Sequence, residues 1–477
     1  MSVTLKNKFE ELKEKIIITL IIIMFLYHAI GVHIICNDAF FYLLPGIKEI
    51  FETKKIPLYA DGNEKSTINY ELPFYLLVAS IYFLVGKITW LISIVNPILL
   101  LLLLYVTYKI NKKSALILLT IPLVFTITWE YEPEILETLF FAIGIYFWLR
   151  GDNNKNAFLS GLFLGLSVFS KFIAGLNVAI LAIIVFFQKH NKEYKILFLI
   201  GILIFSPIML IRNWVLLGNP VYPWFSRYFG GKNILPSMYN NPFYTYGKES
   251  QISSISGILI VNITTTGFLI PLFVFLLIKN RKKLDSVDRA LLIIIFVSLI
   301  IWFLFIKTHL LRHVFLIVYT ICLFIGRKIK NLRLIFLLIL LIPTFFFLIK
   351  GKTALHLLDF TKVYTAPFRN DSELYSLCFS KGKLDGIDWL RHYGKNISIL
   401  SYDKLPLAYF NGLDMQSYKA VFIFDDDVLS KLKANNINYI WVSEEYMEEY
   451  KMTKLPKIEN YLKLVYLSTD VKIYYVS

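Results

Sequence analysis

Charge is the scarcest chemistry in this chain. Only 18% of its 477 residues are Asp, Glu, Lys or Arg, against 57% hydrophobic ones. A soluble protein of that length has no way to cover so much apolar surface, which excludes that class. Cysteine is almost missing too. Cys36, Cys322 and Cys378 stand far apart, so their spacing supports neither a disulfide framework nor a thiolate zinc site. No internal repeat is visible, which argues against the repeated architecture of many transporters. The first apolar run is followed by no small-residue cleavage site and reads as a retained anchor, not a removable signal.

What the chain has instead is long apolar runs. Segments of 17 to 25 such residues are needed to cross about 30 Å of hydrocarbon as helix. Spans are expected near 16–36, 89–109, 114–129, 134–150, 156–171, 173–188, 195–212, 254–279, 290–306, 311–326 and 331–350. The apolar stretch 73–86 is short for a crossing and reads as a re-entrant or interfacial helix. Basic clusters at Lys6 to Lys15, Lys109 to Lys113, Arg150/Lys155, Lys189 to Lys195, Lys279 to Lys283 and Arg327 to Arg333 all fall on one side only if 73–86 does not change sides. That parity puts the N-terminus in the cytoplasm and the loops 37–88, 130–134 and 213–253 outside, together with the C-terminal tail. The net charge of +16 is then a topology signal, and it calls for no nucleic-acid partner.

Beyond 350 the apolar runs stop. Short strand-like pieces appear at 397–400, 420–424 and 439–442, and two more close the chain around a Ser468-Thr469-Asp470 turn. A helix-like piece, GIDWLRHYG, precedes the first of them, and another, VLSKLKANN, lies before the piece at 439–442. The expected architecture is therefore an α-helical polytopic membrane domain over 1–350, with about eleven transmembrane helices. A small α/β domain outside the membrane follows over 351–477.

The informative polar groups lie where spans leave the membrane. Asp38, after Asn37, sits at the exit of the first span, where a carboxylate costs far less than at mid-bilayer. Glu130, Glu132 and Glu134 crowd one turn between spans. Such like charge reads either as a solvated turn or as a site compensated by a cation, an amine or a metal. Lys171 interrupts an apolar run, and a lone lysine there commonly snorkels to the interface; an interfacial cation also suits a lipid phosphate. Arg212 and Asn213 end a later span, Tyr222 follows in a proline-rich aromatic loop, and Arg312 opens another span with His313. Several cations converging on one face would make a site for a phosphorylated lipid.

In order and sidedness, these features resemble the membrane-embedded GT-C glycosyltransferases, especially the group of protein O-mannosyltransferases and the lipid A aminoarabinose transferase. The segments that carry the resemblance are Asn37-Asp38 with AFFYLLPGIKEIFETKKIPLY, ELPFYLLVASIYFLVG, EYEPEILETLF, GLFLGLSVFSKF, IRNWVLLGNPVYP and LLRHVFLIVY. The resemblance implies transfer of a sugar from a polyprenyl-phosphate donor to a protein, glycan or lipid acceptor outside the cytoplasm, with the first-loop acid as general base. The family often carries two adjacent acids there. This chain has Asn37 before Asp38, so Asp38, the only acid at that exit, takes the role. An attacking hydroxyl or amine must lose a proton, which a carboxylate accepts, while the departing phosphate is anionic and is better met by a cation. Lys171, Arg212 and Arg312 are the candidate cations; Glu130, Glu132, Asn213 and Tyr222 join them as candidate substrate ligands. A single displacement inverts the anomeric carbon, and no cofactor is expected. Two rival classes remain: a transporter or flippase of lipid-linked saccharides, and a non-catalytic assembly protein. A third site reading, Asp425-Asp426-Asp427 as a metal motif for nucleotide sugars, lacks a preceding Gly-rich phosphate loop.

Overall fold

The computed structural model describes residues 44–56, 68–85, 89–129, 133–151, 153–222, 226–231, 269–301, 315–329, 381–393, 399–401, 438–443, 462–468 and 470–476, with Thr19, Thr266 and Leu432 besides. Most of these are helical. The helices are α1 (Leu44–Thr53), α2 (Ile68–Val85), α3 (Thr89–Ile110), α4 (Lys112–Leu118), α5 (Pro122–Trp129), α6 (Glu134–Leu149), α7 (Asn154–Ser170), α8 (Ala174–Phe187), α9 (Lys192–Leu217), α10 (Ser226–Phe229), α11 (Leu269–Asn280), α12 (Ser286–Ile301), α13 (Phe315–Lys328) and α14 (Lys381–Tyr393).

Among the described residues one helix, α9, is long and apolar enough by itself to cross a membrane; shorter apolar helices are Glu71–Val85, Val95–Ile110, Ala174–Phe187 and Leu269–Asn280. The expected spans 89–109, 134–150, 156–171 and 173–188 match α3, α6, α7 and α8 to within a few residues. One expectation is corrected. The single span at 114–129 is two helices, α4 and α5, because the chain turns at Leu119 to Ile121 and Pro122 then opens a new helix. The helix expected at 73–86 begins earlier, at Ile68, and is kinked at Glu71, which has φ −127° and ψ 20°. Pro73 explains the kink: it donates no backbone hydrogen bond and its ring crowds the preceding turn. The spans at 16–36 and 331–350 and the domain boundary at 350 lie outside the described residues.

Helix α7 organises its neighbours through its smallest residues. On one face, Gly161 and Gly165 let the backbone of α9 approach so closely that an added Cβ would lie 2.0 Å from the Phe198 carbonyl oxygen and 2.5 Å from that of Ile202. Gly201 of α9 returns the fit, 2.5 Å from the Phe158 carbonyl oxygen. This four-residue spacing of small residues is how helices associate where water supplies no hydrophobic drive. The pairing of 161 with 198 and of 165 with 202 makes α7 and α9 parallel. On the other face, Ser160 Oγ donates to the Gly144 carbonyl at 2.8 Å and Ser167 Oγ to that of Glu137 at 2.9 Å, tying α7 to α6 as an antiparallel hairpin. Further out, Ser298 Oγ donates to Asn177 Oδ1 at 2.8 Å, linking α12 to α8 inside the core. Helix α9 continues through Pro207, which leaves the Leu203 carbonyl without its usual amide partner.

At the basic end of the bundle, cations lie over rings of their own surface: Lys109 over Tyr105 at 5.3 Å, Arg150 over Tyr146 at 4.7 Å, Lys279 over Phe275 at 5.5 Å and Lys195 over Phe186 at 5.4 Å. The same end holds a reciprocal cap: the Asp288 amide donates to Asp285 Oδ1 at 2.8 Å and the Asp285 amide to Asp288 Oδ2 at 3.1 Å. Arg327 then pairs with both carboxylates, at 2.7 Å to Asp285 and 2.9 Å to Asp288, and Lys328 also pairs with Asp288.

The tail forms a four-stranded sheet of order β1-β2-β4-β3, with β1 Ile399–Ser401, β2 Tyr439–Ser443, β3 Leu462–Leu467 and β4 Val471–Val476. β1 and β2 are parallel; β4 runs antiparallel to both β2 and β3. The expected strands at 397–400 and 439–442 and the closing hairpin are all present, and the Ser468 amide donates to the Val471 carbonyl at 2.9 Å to close the turn. The expected strand at 420–424 is outside the described residues.

The close helix contact gives a direct test. Gly161→Ala should lower stability by about 2 kcal/mol through overpacking against backbone, read as a fall in the thermal midpoint in detergent. Gly175→Ala, whose added Cβ meets only Val168 Cγ1 at 3.7 Å, should leave the midpoint unchanged.

Candidate functional site

The ends of three helices converge on one lysine. Lys171 follows α7 directly and is only 3% exposed, so it does not snorkel as an isolated lysine would. Its Nζ donates to Glu134 Oε1 at 2.5 Å and lies 3.1 Å from Glu71 Oε1. Each partner has a local reason for its place. Glu134 opens α6 immediately after Pro133, at a helix N-terminus that favours negative charge. Glu71 sits at the kink that Pro73 imposes on α2. The α6–α7 hairpin brings the first residue of one helix beside the last of the other, and α2 packs across them.

A third carboxyl group lies one turn deeper. Glu137 is buried, and its Oε1 has no hydrogen-bond partner; neither has the hydroxyl of Thr138 beside it. Among the described residues, one ammonium therefore faces three carboxyl groups in a low-dielectric setting. Counted over these groups alone the charge is formally negative, which protons, a further cation or a cationic ligand group would offset. Among the described residues, no cluster of three or more His, Cys, Asp or Glu is arranged to hold a metal ion.

Because α9 runs parallel to α7, it reaches the level of Lys171 near Pro207 and continues. Arg212 and Asn213 thus stand roughly 7 Å further along the same direction, at 1.5 Å per residue. Arg212 is half-buried and its Nη1 lies 3.4 Å from Asn213 Oδ1; Asn213 itself is buried. Beyond them Gly218 ends the helix in the left-handed conformation, φ 76°, that glycine tolerates best. Asn219 Oδ1 accepts from the Val221 amide at 3.0 Å and its Nδ2 donates to the Gly230 carbonyl at 3.3 Å, which folds the loop back. Tyr222 is buried, 1% exposed, and so is not part of a lipid-facing aromatic belt.

Of the residues singled out in the sequence, the structure thus joins Lys171 to Glu134 and puts Arg212, Asn213 and Tyr222 at the same end of the bundle. Asp38, Glu130, Glu132 and Arg312 lie outside the described residues. Two members went unnoticed in the sequence. Glu71 is an acid two residues before a proline at the head of an apolar run. Glu137 is three residues after Glu134, so both face one side of α6.

No protein-family model matches the chain, and neither does any curated protein. Solved structures do. The fold is similar to that of ArnT from Cupriavidus metallidurans in the apo state, with TM-score 0.58 over 98% of both chains at 12% identity. The same protein bound to undecaprenyl phosphate gives TM-score 0.57 over 97% of this chain and 98% of that one, at 11% identity. An oligosaccharyltransferase from Archaeoglobus fulgidus, in complex with Zn and sulfate, gives TM-score 0.50 over 95% of this chain and 72% of that one, at 13% identity. The chain therefore shares the fold of ArnT over nearly its whole length.

The buried cluster predicts a sharp asymmetry between single and paired substitutions. Lys171→Met removes the ammonium that the Glu71 and Glu134 carboxylates both contact and should cost about 3–5 kcal/mol. Lys171→Met combined with Glu134→Gln should recover at least half of that loss, since the two residues act as a pair. Denaturation midpoints of the three proteins in one detergent measure both; additive losses would show that the pair contributes nothing.

Proposed function

We propose that the protein is a membrane glycosyltransferase that moves a sugar from a polyprenyl-phosphate carrier to an acceptor on the outer face of the membrane. The observation that carries this reading is the ion cluster of Lys171 with Glu71 and Glu134, formed where α2, α6 and α7 end together. It sits within a fold matched over nearly its full length by an ArnT that binds undecaprenyl phosphate. Buried charge of this cost, concentrated at one end of an apolar bundle, marks a place where polar chemistry is done.

In the proposed reaction Asp38 takes the proton from an acceptor hydroxyl or amine as that atom attacks the anomeric carbon. The bond to the lipid phosphate breaks as the new glycosidic bond forms, with inversion, and the phosphate leaves as an anion. Arg212 and Arg312 meet that anion. Lys171 shares its charge with Glu71 and Glu134, holding their carboxylates in fixed positions to accept hydrogen bonds from sugar hydroxyls. Glu130 and Glu132, next to Glu134 in sequence, are proposed to contact the acceptor, and Asn213 and Tyr222 to order the loop that bears Arg212. No cofactor enters these steps.

The test uses purified protein in lipid nanodiscs with labelled polyprenyl-phosphate sugars and a panel of acceptors. Asp38→Asn should lower transfer by about 10²-fold or more, the usual contribution of a general base. Arg212→Ala should weaken the response to donor concentration more than to acceptor concentration. Equal turnover by wild type and Asp38→Asn would remove Asp38 as the base. Label that crosses the bilayer still attached to its lipid would instead identify a flippase.

A further inference from the structure

The C-terminal sheet carries a row of side chains that no step of the proposed reaction uses. Tyr439 of β2 stands opposite Tyr475 of β4, and Tyr475 stands opposite Lys463 of β3. Cross-strand partners share a face, so these three form one line across three strands, about 10 Å long at the usual strand spacing. The rings of Tyr439 and Tyr475 meet at 5.4 Å and 70°. Trp389 of α14 closes one end of the line, 6.4 Å from Tyr439, and also reaches Tyr466 at 5.6 Å.

This row lies beside the core of the domain without belonging to it. On the same sheet face, Trp441, Val471 and Ile473 are fully buried, and Ile387 and Leu390 of α14 are buried with them. Gly386 brings the helix backbone against the Trp441 ring: an added Cβ would lie 2.8 Å from it. Trp389, Tyr439 and Tyr466 are only half-buried, Tyr475 is 40% exposed, and Lys463 and His392 are exposed. Large, partly exposed rings beside a buried core form a surface, edged by two tyrosine hydroxyls, an ammonium and an imidazole.

Such a surface suits a pyranose or furanose chain. Sugar rings present C–H faces that lie on aromatic rings, while their hydroxyls reach outward to polar groups at the rim. A membrane is the other partner that aromatic and lysine side chains suit. The exposed aliphatics that would enter lipid, Leu464 and Leu467, are cross-strand partners of Tyr474 and Lys472 and so project from the opposite face.

We propose that Trp389, Tyr439, Tyr475 and Lys463 form a platform for an oligosaccharide, the glycan acceptor or product of the transfer reaction. The choice of a saccharide rests on the reading of the protein as a glycosyltransferase; the platform itself rests on the row. The experiment presents full-length protein in nanodiscs to an array of immobilised hexose, hexosamine and pentose oligosaccharides. At least one should be retained by the wild type. Tyr475→Ala should weaken that binding about tenfold or more, and Tyr474→Ala, on the other face, should leave it unchanged. Retention of no glycan, or equal binding by Tyr475→Ala, overturns the platform. So does quenching by brominated lipid of fluorescence that Trp389→Phe removes, since the row would then face the bilayer. Transfer activity is measured on the same preparations: binding without any transfer keeps the platform and sinks the glycosyltransferase reading, whereas transfer without glycan binding does the reverse.

Discussion

A charge taken out of water must find its counter-charge nearby, and Lys171 obeys that rule at the place where the bundle's polar end is built. An ammonium at 3% exposure is tolerable only with carboxylates in direct contact. Glu134 at 2.5 Å and Glu71 at 3.1 Å supply them. This requirement ties three separate stretches of chain to one point: the kink of α2, the first turn of α6 and the end of α7. Moving any one of them would break an ion pair of this cluster. The electrostatic need therefore fixes geometry that apolar packing alone leaves free, since one greasy helix face slides on another at little cost.

The glycines complete that constraint. Gly161, Gly165 and Gly201 bring α7 and α9 into backbone contact, and the serines of α7 bind α6 on the opposite side. Helix α7 thus has neighbours on two faces held by different means, close van der Waals contact on one and hydrogen bonds on the other. Its terminal Lys171 inherits a defined position from both. The polar end is precise because the helix behind it has almost no freedom to rotate or shift.

Much of this was legible in the residues, and the limits have physical reasons. Length and hydrophobicity locate α3, α6, α7 and α8 because a membrane span is set by one dimension, the thickness of the hydrocarbon. The closing hairpin is legible because Ser468 and Asp470 are turn formers between strand-like runs. The break between α4 and α5 is invisible to hydropathy, since apolar content stays high across Leu119 to Ile121 and a turn leaves it unchanged. Glu71 escaped notice because its role comes from a kink and from a lysine a hundred residues away. Lys171 itself looked like an interfacial cation; only the hairpin of α6 and α7 reveals that its charge is already engaged. Asp38, Glu130, Glu132 and Arg312 lie outside the described residues, so the parts proposed for them rest on sequence.

Helix α9 joins two mechanical regimes. From Phe198 to Phe205 it is pinned, by glycine contact to α7 and by the stacking of Phe205 on Phe169 at 6.2 Å. Pro207 then removes one rung of the hydrogen-bond ladder just before Arg212 and Asn213. The bending stiffness of the helix is lowest at that missing rung. A force on the loop at 218–222 is consequently absorbed as a pivot of the last two to three turns, carrying the guanidinium of Arg212 through an arc while Lys171 and its carboxylates stay still.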